Sequence, residues 1–278
     1  MPKGIALSIG LNRVDPIHYG GWSGELNACE ADAMDMADIA ESQGFSTRKM
    51  ITKAATRQNV LNEISEISKS IKPADIFLLT YSGHGGQVPD LNNEENDNLD
   101  ESWCLYDGEL IDDELNHMLS QFSEGVRIVV FSDSCHSGTI IKAAYYHGAF
   151  ALRSSIQDFQ QIRHKYMPIS VAYRTYRQNR EFYDRILKNP DLKKAKDNVK
   201  ASVILISGCQ DNQFALDGIS NSLFTATLLR VWNDGEFKKD YRAFHKEILR
   251  QMPPDQTPNY YWIGIHDPRF ENQIPFTI

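Results

Sequence analysis

The sequence predicts an α/β protein: a mostly parallel, six-stranded sheet with helices on both faces. Short apolar runs rich in β-branched residues alternate with longer amphipathic segments, the pattern of strands joined by crossover helices. The runs are apolar throughout, as in strands that are buried on both faces. Two of them stop abruptly at small and polar residues, and open parallel sheets bind ligands just beyond the carboxyl ends of their strands.

The first part of the chain alternates strands and helices. The pattern predicts strands over 4–11, 45–51 and 75–81 and a helix over 25–43, which Gly44 is suited to end. A second, amphipathic helix is expected to begin at Thr56, because apolar residues then recur at helical spacing. That apolar stripe consists of Val60, Leu61, Ile64, Ile67 and Ile71.

The later part of the chain repeats this alternation after an interruption. A helix is expected over 111–122, opened by Asp112 and Asp113, whose carboxylates favour a helix N-terminus. The strand Ile128-Val129-Val130-Phe131 follows, and the pattern then blurs into short basic amphipathic pieces. It resumes with strands over 201–207 and 259–264 and helices over 223–232 and 241–252.

Composition narrows the class of protein. At 278 residues and 41% apolar content, the chain can bury a substantial core. No apolar run approaches the roughly 20 residues of a membrane-spanning helix, and the start of the sequence lacks a signal-peptide profile. Four scattered cysteines without a CxxC pair favour neither a disulfide framework nor a structural zinc site. We therefore expect a cytoplasmic protein without a membrane partner.

The charge is divided unevenly along the chain. The net charge of −8 argues against nucleic acid as the main partner. Residues 139–200, however, hold 13 Lys or Arg against 5 Asp or Glu, a net charge of +8, which leaves −16 for the remaining residues. We call residues 139–200 the basic insert.

Two strand ends carry residues suited to nucleophilic catalysis. The strand before His84 runs into Ser82-Gly83-His84-Gly85-Gly86, and the strand before Cys135 runs into Ser132-Asp133-Ser134-Cys135-His136-Ser137-Gly138. If the two strands are neighbours, a thiol and an imidazole face each other across one crevice, where the thiolate attacks and the imidazole handles the proton. Alternatively, Cys135 is a small buried apolar residue, the usual role of a free cysteine. His136 points to the opposite side of an extended backbone, which favours a structural role.

The strings YSGHGGQ and DSCHSG together resemble the signature of metacaspases and their prokaryotic relatives, the orthocaspases. The resemblance implies a caspase-like three-layer sandwich and a cysteine endopeptidase with a His84–Cys135 dyad. It also implies that the backbone N–H groups of Gly85 and Cys135 stabilise the oxyanion. The caspase pattern Q-A-C-[RQG]-G is absent.

By the same resemblance, four residues line a specificity pocket: Cys29, Asp32, Ser82 and Asp133. Asp133 lies two residues before Cys135, on the same face of an extended segment. Two carboxylates in one pocket select a cationic side chain and repel an acidic one. The expected substrates are therefore proteins or peptides that are cut after Arg or Lys.

Other functions remain as alternatives. A catalytically silent caspase-fold module for signalling would use the fold without the chemistry, although both dyad residues are present. An Asp-specific caspase-like peptidase is disfavoured by the acidic pocket. A nucleotide-binding domain is disfavoured because no Gly-rich phosphate loop follows the first strand.

The chain is expected to form one catalytic domain over 1–278. Residues 1–138 correspond to a large-subunit-like part with the dyad, and residues 201–278 to a small-subunit-like part. The basic insert joins them, and it is interpreted equally well as a regulatory pseudo-substrate or cleaved linker and as a solvated or partner-binding flap. Its possible cleavage points are Arg153, Arg163, Arg174, Arg177 and Arg180.

No cofactor is expected, and calcium should be dispensable. Many metacaspases bind calcium through carboxylates, and the resemblance matches Asp100, Asp112 and Asp113 to such ligands as a weak site at most. Lys142 stands where the pattern has a carboxylate. An ammonium there removes a ligand and adds repulsion.

Overall fold

The computed structural model describes residues 1–89, 99–134, 163–192, 195–209, 215–218 and 220–278. Its strands form a six-stranded sheet and a separate three-stranded sheet. The strands are β1 Gly4–Gly10, β2 Ser46–Ile51, β3 Ile76–Ser82, β4 Gly85–Pro89, β5 Leu99–Leu105, β6 Gly108–Ile111, β7 Arg127–Asp133, β8 Ser202–Ser207 and β9 Asn259–Gly264.

The six-stranded sheet has the order β2-β1-β3-β7-β8-β9. All neighbours are parallel except β8 and β9, so the mostly parallel α/β fold predicted from the sequence is confirmed. β3 and β7 are adjacent, and Ser82 pairs with Asp133 at their carboxyl ends. The two strands that precede His84 and Cys135 are therefore neighbours.

Helices cover both faces of this sheet. One face packs on the helices that carry Ile64 and Leu119, and the other packs on the helices that carry Met36, Leu228 and Phe244. Each layer buries a continuous apolar cluster, as in a three-layer sandwich. The helices are α1 Cys29–Ser42, α2 Arg57–Ser70, α3 Asp112–Ser120, α4 Ile169–Gln178, α5 Arg180–Leu187, α6 Leu223–Trp232, α7 Tyr241–Gln251 and α8 Pro268–Glu271.

The helix ends agree with the sequence except at the start of α1. Thr56 caps α2 by accepting from the Asn59 N–H, and Gly44 follows α1 with φ +88°. However, α1 begins at Cys29, four residues later than predicted. The N–H groups of Asn27 and Ala28 donate to the Asp217 carboxylate instead, at 2.7 and 3.0 Å, so a distant side chain sets where this helix starts.

The three-stranded sheet β4-β5-β6 was not predicted. Both of its strand pairs are antiparallel, and it begins directly after His84. Its strands carry glycines, carboxylates and a proline, so they lack the apolar runs that identified the large sheet. The sequence DLNNEENDNLDE over 90–101, the acidic loop, would favour a loop throughout, but β5 begins at Leu99 and takes up its last three residues.

The described part of the basic insert folds against this small sheet. Met167 and Val171 pack with Val14, Tyr19 and Cys104, and a second cluster joins α5 to β4 and β6. Helices α4 and α5 account for the amphipathic pieces noted in the sequence. None of the described helices is long and apolar enough to cross a membrane.

Candidate active site

His84 lies two residues beyond β3 and is almost completely buried. Its Nε2 lies 2.9 Å from the Gly24 carbonyl oxygen, and its ring packs against Trp22 with the centroids 4.7 Å apart. Its own carbonyl accepts from the Tyr81 hydroxyl and the Cys104 N–H, at 2.7 and 2.9 Å. These contacts fix the ring and favour a proton on Nε2, which leaves Nδ1 free to accept one.

The histidine is held in its neutral form. Burial lowers the pKa of His84 to about 4, the carbonyl of Gly24 opposes this shift, and the positive charge of Lys165 adds to it. An uncharged imidazole is the form that can take a proton from a thiol.

Asp32, Ser82 and Asp133 meet in one buried pocket. Asp32 comes from the first turns of α1, whereas Ser82 and Asp133 end the paired strands β3 and β7. The Ser82 hydroxyl donates to Asp32 Oδ2 at 2.7 Å. Neither carboxylate is more than 2% exposed. From the sequence, only the family resemblance predicted that these residues share a pocket. The structure places them in contact.

The pocket is filled by a lysine of the basic insert. Lys165 has no exposed surface, and its Nζ lies 3.1 Å from Asp32 Oδ2, 3.1 Å from Asp133 Oδ2 and 2.8 Å from Ser82 Oγ. Three donor hydrogens thus meet three acceptors. A buried charge requires this degree of pairing. The sequence pattern indicated only arginines of the insert as cleavage points, so Lys165 was not predicted.

The main chain around Lys165 is held on both sides. The Gly85 N–H donates to the Lys165 carbonyl at 3.1 Å, and the Lys165 N–H donates to the Ala215 carbonyl at 3.0 Å. Beyond it, the Met167 N–H donates to the Gly85 carbonyl at 2.7 Å. Lys165 therefore lies in an extended segment, its side chain in the acidic pocket and its carbonyl on the Gly85 N–H.

Ser222 joins the two carboxylates and was not found from the sequence. Its hydroxyl lies 2.6 Å from Asp32 Oδ2 and contacts Asp133 Oδ2, while its N–H donates to Asp32 Oδ1 at 3.0 Å. Ser222 precedes α6, where a serine normally caps the helix, yet its hydroxyl caps nothing. A serine at a helix start is a common signal, and nothing in the sequence distinguishes Ser222 from an ordinary helix cap.

The two carboxyls titrate differently because their surroundings differ. Burial alone would raise the pKa of Asp32, but the Lys165 ammonium and hydrogen bonds from Ser222, Ser82 and Asn221 hold it below its usual value. Burial raises the pKa of Asp133, and the charge of Asp32 adds to the rise although Lys165 opposes it. The pocket therefore keeps a negative charge on Asp32, which faces the ammonium group of Lys165.

The three described cysteines, Cys29, Cys104 and Cys209, are buried and are not joined in disulfides. Burial raises the pKa of Cys29, beside the pocket, to about 12, so this thiol stays neutral. Cys209 donates to the Ser134 carbonyl at 3.3 Å. Cys135 and His136 follow Ser134 in the sequence and lie outside the described residues, as do Lys142, Arg153 and most of the acidic loop.

The three carboxylates matched to calcium ligands lie apart from the pocket. Asp100 is in β5, and Asp112 and Asp113 open α3. Within the described ranges, no group of three or more His, Cys, Asp or Glu side chains is arranged to hold a metal ion.

The chain is similar to known proteins over most of its length. The profile of the caspase domain, a peptidase family, matches residues 3–272. Metacaspase-1 of Kluyveromyces lactis is 27% identical over 250 residues, which cover 80% of this chain and 56% of that protein. Metacaspase-1 of Schizosaccharomyces pombe is 27% identical over 266 residues, or 81% and 58% of the two chains. This chain thus spans little more than half the length of these relatives.

A solved structure is similar over almost the whole chain. The crystal structure of protein GSU0716 from Geobacter sulfurreducens superposes with a TM-score of 0.88 and is 57% identical in sequence. The match covers 99% of each chain.

Proposed function

Because this chain belongs to the caspase-domain family of cysteine-type endopeptidases, we propose that it cuts proteins after lysine or arginine through Cys135 and His84. Lys165 is the observation that carries the proposal. A buried ammonium between Asp32, Asp133 and Ser82 occupies the pocket as the side chain of a substrate would. An acidic side chain would face two carboxylates there, which disfavours cleavage after aspartate.

The residues have complementary roles in this reaction. The Cys135 thiol gives its proton to His84, and its sulfur attacks the carbonyl carbon of the basic residue. The carbonyl oxygen becomes an oxyanion and is stabilised by the Gly85 N–H, the group 3.1 Å from the Lys165 carbonyl oxygen. His84 then returns the proton to the leaving amine as the C–N bond of the intermediate breaks, which leaves the acyl group on the Cys135 sulfur as a thioester. Water hydrolyses the thioester, which releases the new carboxylate and restores the thiol.

The basic insert regulates the enzyme by occupying the active site of the same chain. With Lys165 in the pocket and its carbonyl on Gly85, no other substrate can enter. The bond that this arrangement offers to Cys135 is Lys165–Tyr166. Cutting that bond frees the pocket, so the insert is both an inhibitor and the first substrate. A protein partner that binds the exposed basic side chains of α4 and α5 would act through the same step, by withdrawing Lys165.

A free thiol nucleophile suits the cytoplasm.

Intact-mass analysis of the purified chain tests the self-cleavage. The wild type should yield pieces that end at Lys165 and begin at Tyr166, and Cys135→Ala should stay whole. Lys165→Arg should retain this cut and Lys165→Ala should lose it, whereas Lys188→Ala, on the exposed side of α5, should not affect it. Cleavage of the Cys135→Ala protein at this bond during purification would refute the assignment.

Fluorogenic peptides ending in Lys, Arg or Asp test the specificity. Lys- and Arg-ending peptides should be hydrolysed and Asp-ending peptides should not. Asp133→Asn should lower kcat/KM for basic peptides by about 100-fold, since a buried charge would lose half of its counter-charge. Faster hydrolysis of the Asp-ending peptide, or equal rates in the Cys135→Ala protein, would contradict the proposal.

A further inference from the structure

A second basic residue of the insert, Arg163, also lies against the body of the protein. It stands two residues before Lys165 in the same extended segment, and alternate residues of such a segment point to one side. The Asp217 N–H donates to the Arg163 carbonyl at 2.8 Å, next to the bond between the Lys165 N–H and Ala215. The pairing that places Lys165 in its pocket therefore also fixes Arg163.

The Arg163 side chain meets two oxygens of one residue. Its Nη1 donates to the Glu25 carbonyl at 2.6 Å and lies 3.9 Å from Glu25 Oε2. Both groups border an open cleft of about 500 Å³ between the loop that follows β1 and the end of β2. A guanidinium has five donors in a rigid fork, so it can satisfy a carbonyl and a carboxylate together.

Two carboxylates line the cleft, and Arg163 contacts that of Glu25. Glu30 also lines the cleft, but its carboxylate already accepts from the Thr52 hydroxyl. Arg13 and Lys53 lie on the same lining. Arg163 reaches Glu25, and an acidic side chain at this position would meet the Glu25 carboxylate at close range.

We infer that Glu25 and its carbonyl form a second specificity subsite, which selects arginine two residues before the cut. The preferred substrate is then an extended Arg-x-Lys segment, of which residues 163–165 are the built-in example. This inference rests on the proposed function, because it takes Lys165 as the residue before the cut.

Tripeptide substrates that differ only at their first residue test the subsite. The peptides are Arg-His-Lys, Ala-His-Lys and Glu-His-Lys, each with a fluorogenic amide after Lys. The enzyme is the Lys165→Glu protein, from which the insert segment is repelled. Because the pair is partly exposed, we expect kcat/KM to fall about five-fold from Arg to Ala and further from Ala to Glu.

Variants of Glu25 complete the test. In Glu25→Gln the ratio of the Arg to the Glu peptide should shrink several-fold, and in Glu25→Lys the order should reverse. Glu66→Gln, which changes an exposed carboxylate of α2 far from this segment, should leave the ratio unchanged. Equal rates for all three peptides, or a ratio that is unaffected in Glu25→Lys, would overturn the inference while leaving the proposed function intact.

Failure of the proposed function has a different signature. In that case no Lys-ending peptide is hydrolysed by any variant, and the chain stays uncut. Self-cleavage gives an independent check: Arg163→Glu should slow the cut at Lys165 several-fold, and adding Glu25→Arg should restore it. A double variant as slow as the single one would count against direct pairing.

Discussion

At the scale of single residues, Lys165 fills the acidic pocket. Its ammonium is fully buried between two carboxylates, and breaking a buried pair of this kind costs about 3–5 kcal/mol. Lys165→Glu would place a third carboxylate beside Asp32 and Asp133, so the insert segment should leave the site. We expect the uncut Lys165→Glu protein to hydrolyse a Lys-ending peptide at least about ten-fold faster than the uncut wild type does.

Intact-mass analysis of the assay samples distinguishes activation by cleavage of the insert from activation by its displacement from the pocket. Lys188→Glu is the matched control, because Lys188 is an exposed lysine of the same insert, and its rate should equal that of the wild type. An intact Lys165→Glu protein that remains inactive would show that filling the pocket is not what restrains the enzyme.

His84 should titrate differently with and without substrate. Burial and the charge of Lys165 both lower its pKa, which is about 4 when the pocket is filled. A substrate lysine in the pocket would supply the same positive charge and the same burial of His84, whereas an empty pocket would supply neither. The catalytic imidazole must be neutral, so activity is lost as the pH falls through its pKa. The acid limb of kcat, which reports the complex, should therefore lie at lower pH than the acid limb of kcat/KM.

The pH profile is measured with the Lys165→Glu protein and a Lys-ending peptide. Acid limbs at the same pH, or a kcat limb at the higher pH, would show that the bound cation does not act on His84.

The sequence predicted the residues that stand at strand ends better than those that approach the site from elsewhere. The apolar runs predicted that His84, Ser82 and Asp133 stand at strand ends, and adjacent parallel strands end together. Only the family resemblance predicted that Ser82 and Asp133 share a pocket. Lys165 is one of 13 basic residues in its segment, and nothing local distinguishes it. Its role depends on how the insert packs against distant parts of the chain, and hydrophobic periodicity carries no information about such contacts.

At the scale of elements, the insert is held by α5 on the small sheet. Tyr183 of α5 is completely buried, and its hydroxyl accepts from the Glu109 N–H at 3.3 Å and lies 2.7 Å from His18 Nε2. Beneath it, Glu109 accepts from the Ser102 hydroxyl at 2.5 Å. Burial raises the pKa of Glu109 to about 7, so docking of α5 covers a carboxyl that resists ionisation.

Docking of the insert should therefore weaken as the pH rises. A carboxyl with a raised pKa in the docked state binds more protons there, so its contribution is complete below its ordinary pKa of 4.5 and is lost by about pH 7. Burial lowers the pKa of His18, which acts in the opposite direction. The comparison with Glu109→Gln isolates the carboxyl.

Limited proteolysis of α4 and α5 measures this docking in the Cys135→Ala background, where the chain is expected to stay whole. From pH 5 to pH 8, cleavage should increase several-fold more in the Glu109-containing protein than in Glu109→Gln. Parallel profiles for the two proteins would rule out a contribution from Glu109.

The elements that the sequence missed share a physical cause. Strands β4 to β6 are short and antiparallel, and they carry glycine and charged residues. Strands that are buried on both faces can be recognised in a sequence as apolar runs. Strands β4 to β6 have no such run, so they can be identified only once their pairing is known. The late start of α1 has the same origin, since Asp217, far along the chain, binds the N–H groups before it.

At the scale of the whole molecule, the uneven charge has a structural use. The net charge is +8 in the insert and −16 elsewhere, and the insert places Lys165 and Arg163 against carboxylates of the body. We expect the chain also to supply its own cation at the carboxylates matched to calcium ligands, which lie apart from this pocket. The substitution of Lys142 for a carboxylate in the family pattern is consistent with this arrangement.

Calcium should therefore have little effect on activity. Calcium affinity rises with the number of charged oxygen ligands, and Lys142 replaces one of the four carboxylates in the family pattern, the others being matched by Asp100, Asp112 and Asp113. We expect the rate in excess chelator to be within about two-fold of the rate in millimolar calcium. Lys142→Asp should create a calcium dependence, and Lys142→Gln, which removes the charge without adding a ligand, should not. A large, saturable rise in the rate of the wild type on adding calcium would contradict this account of the charge balance.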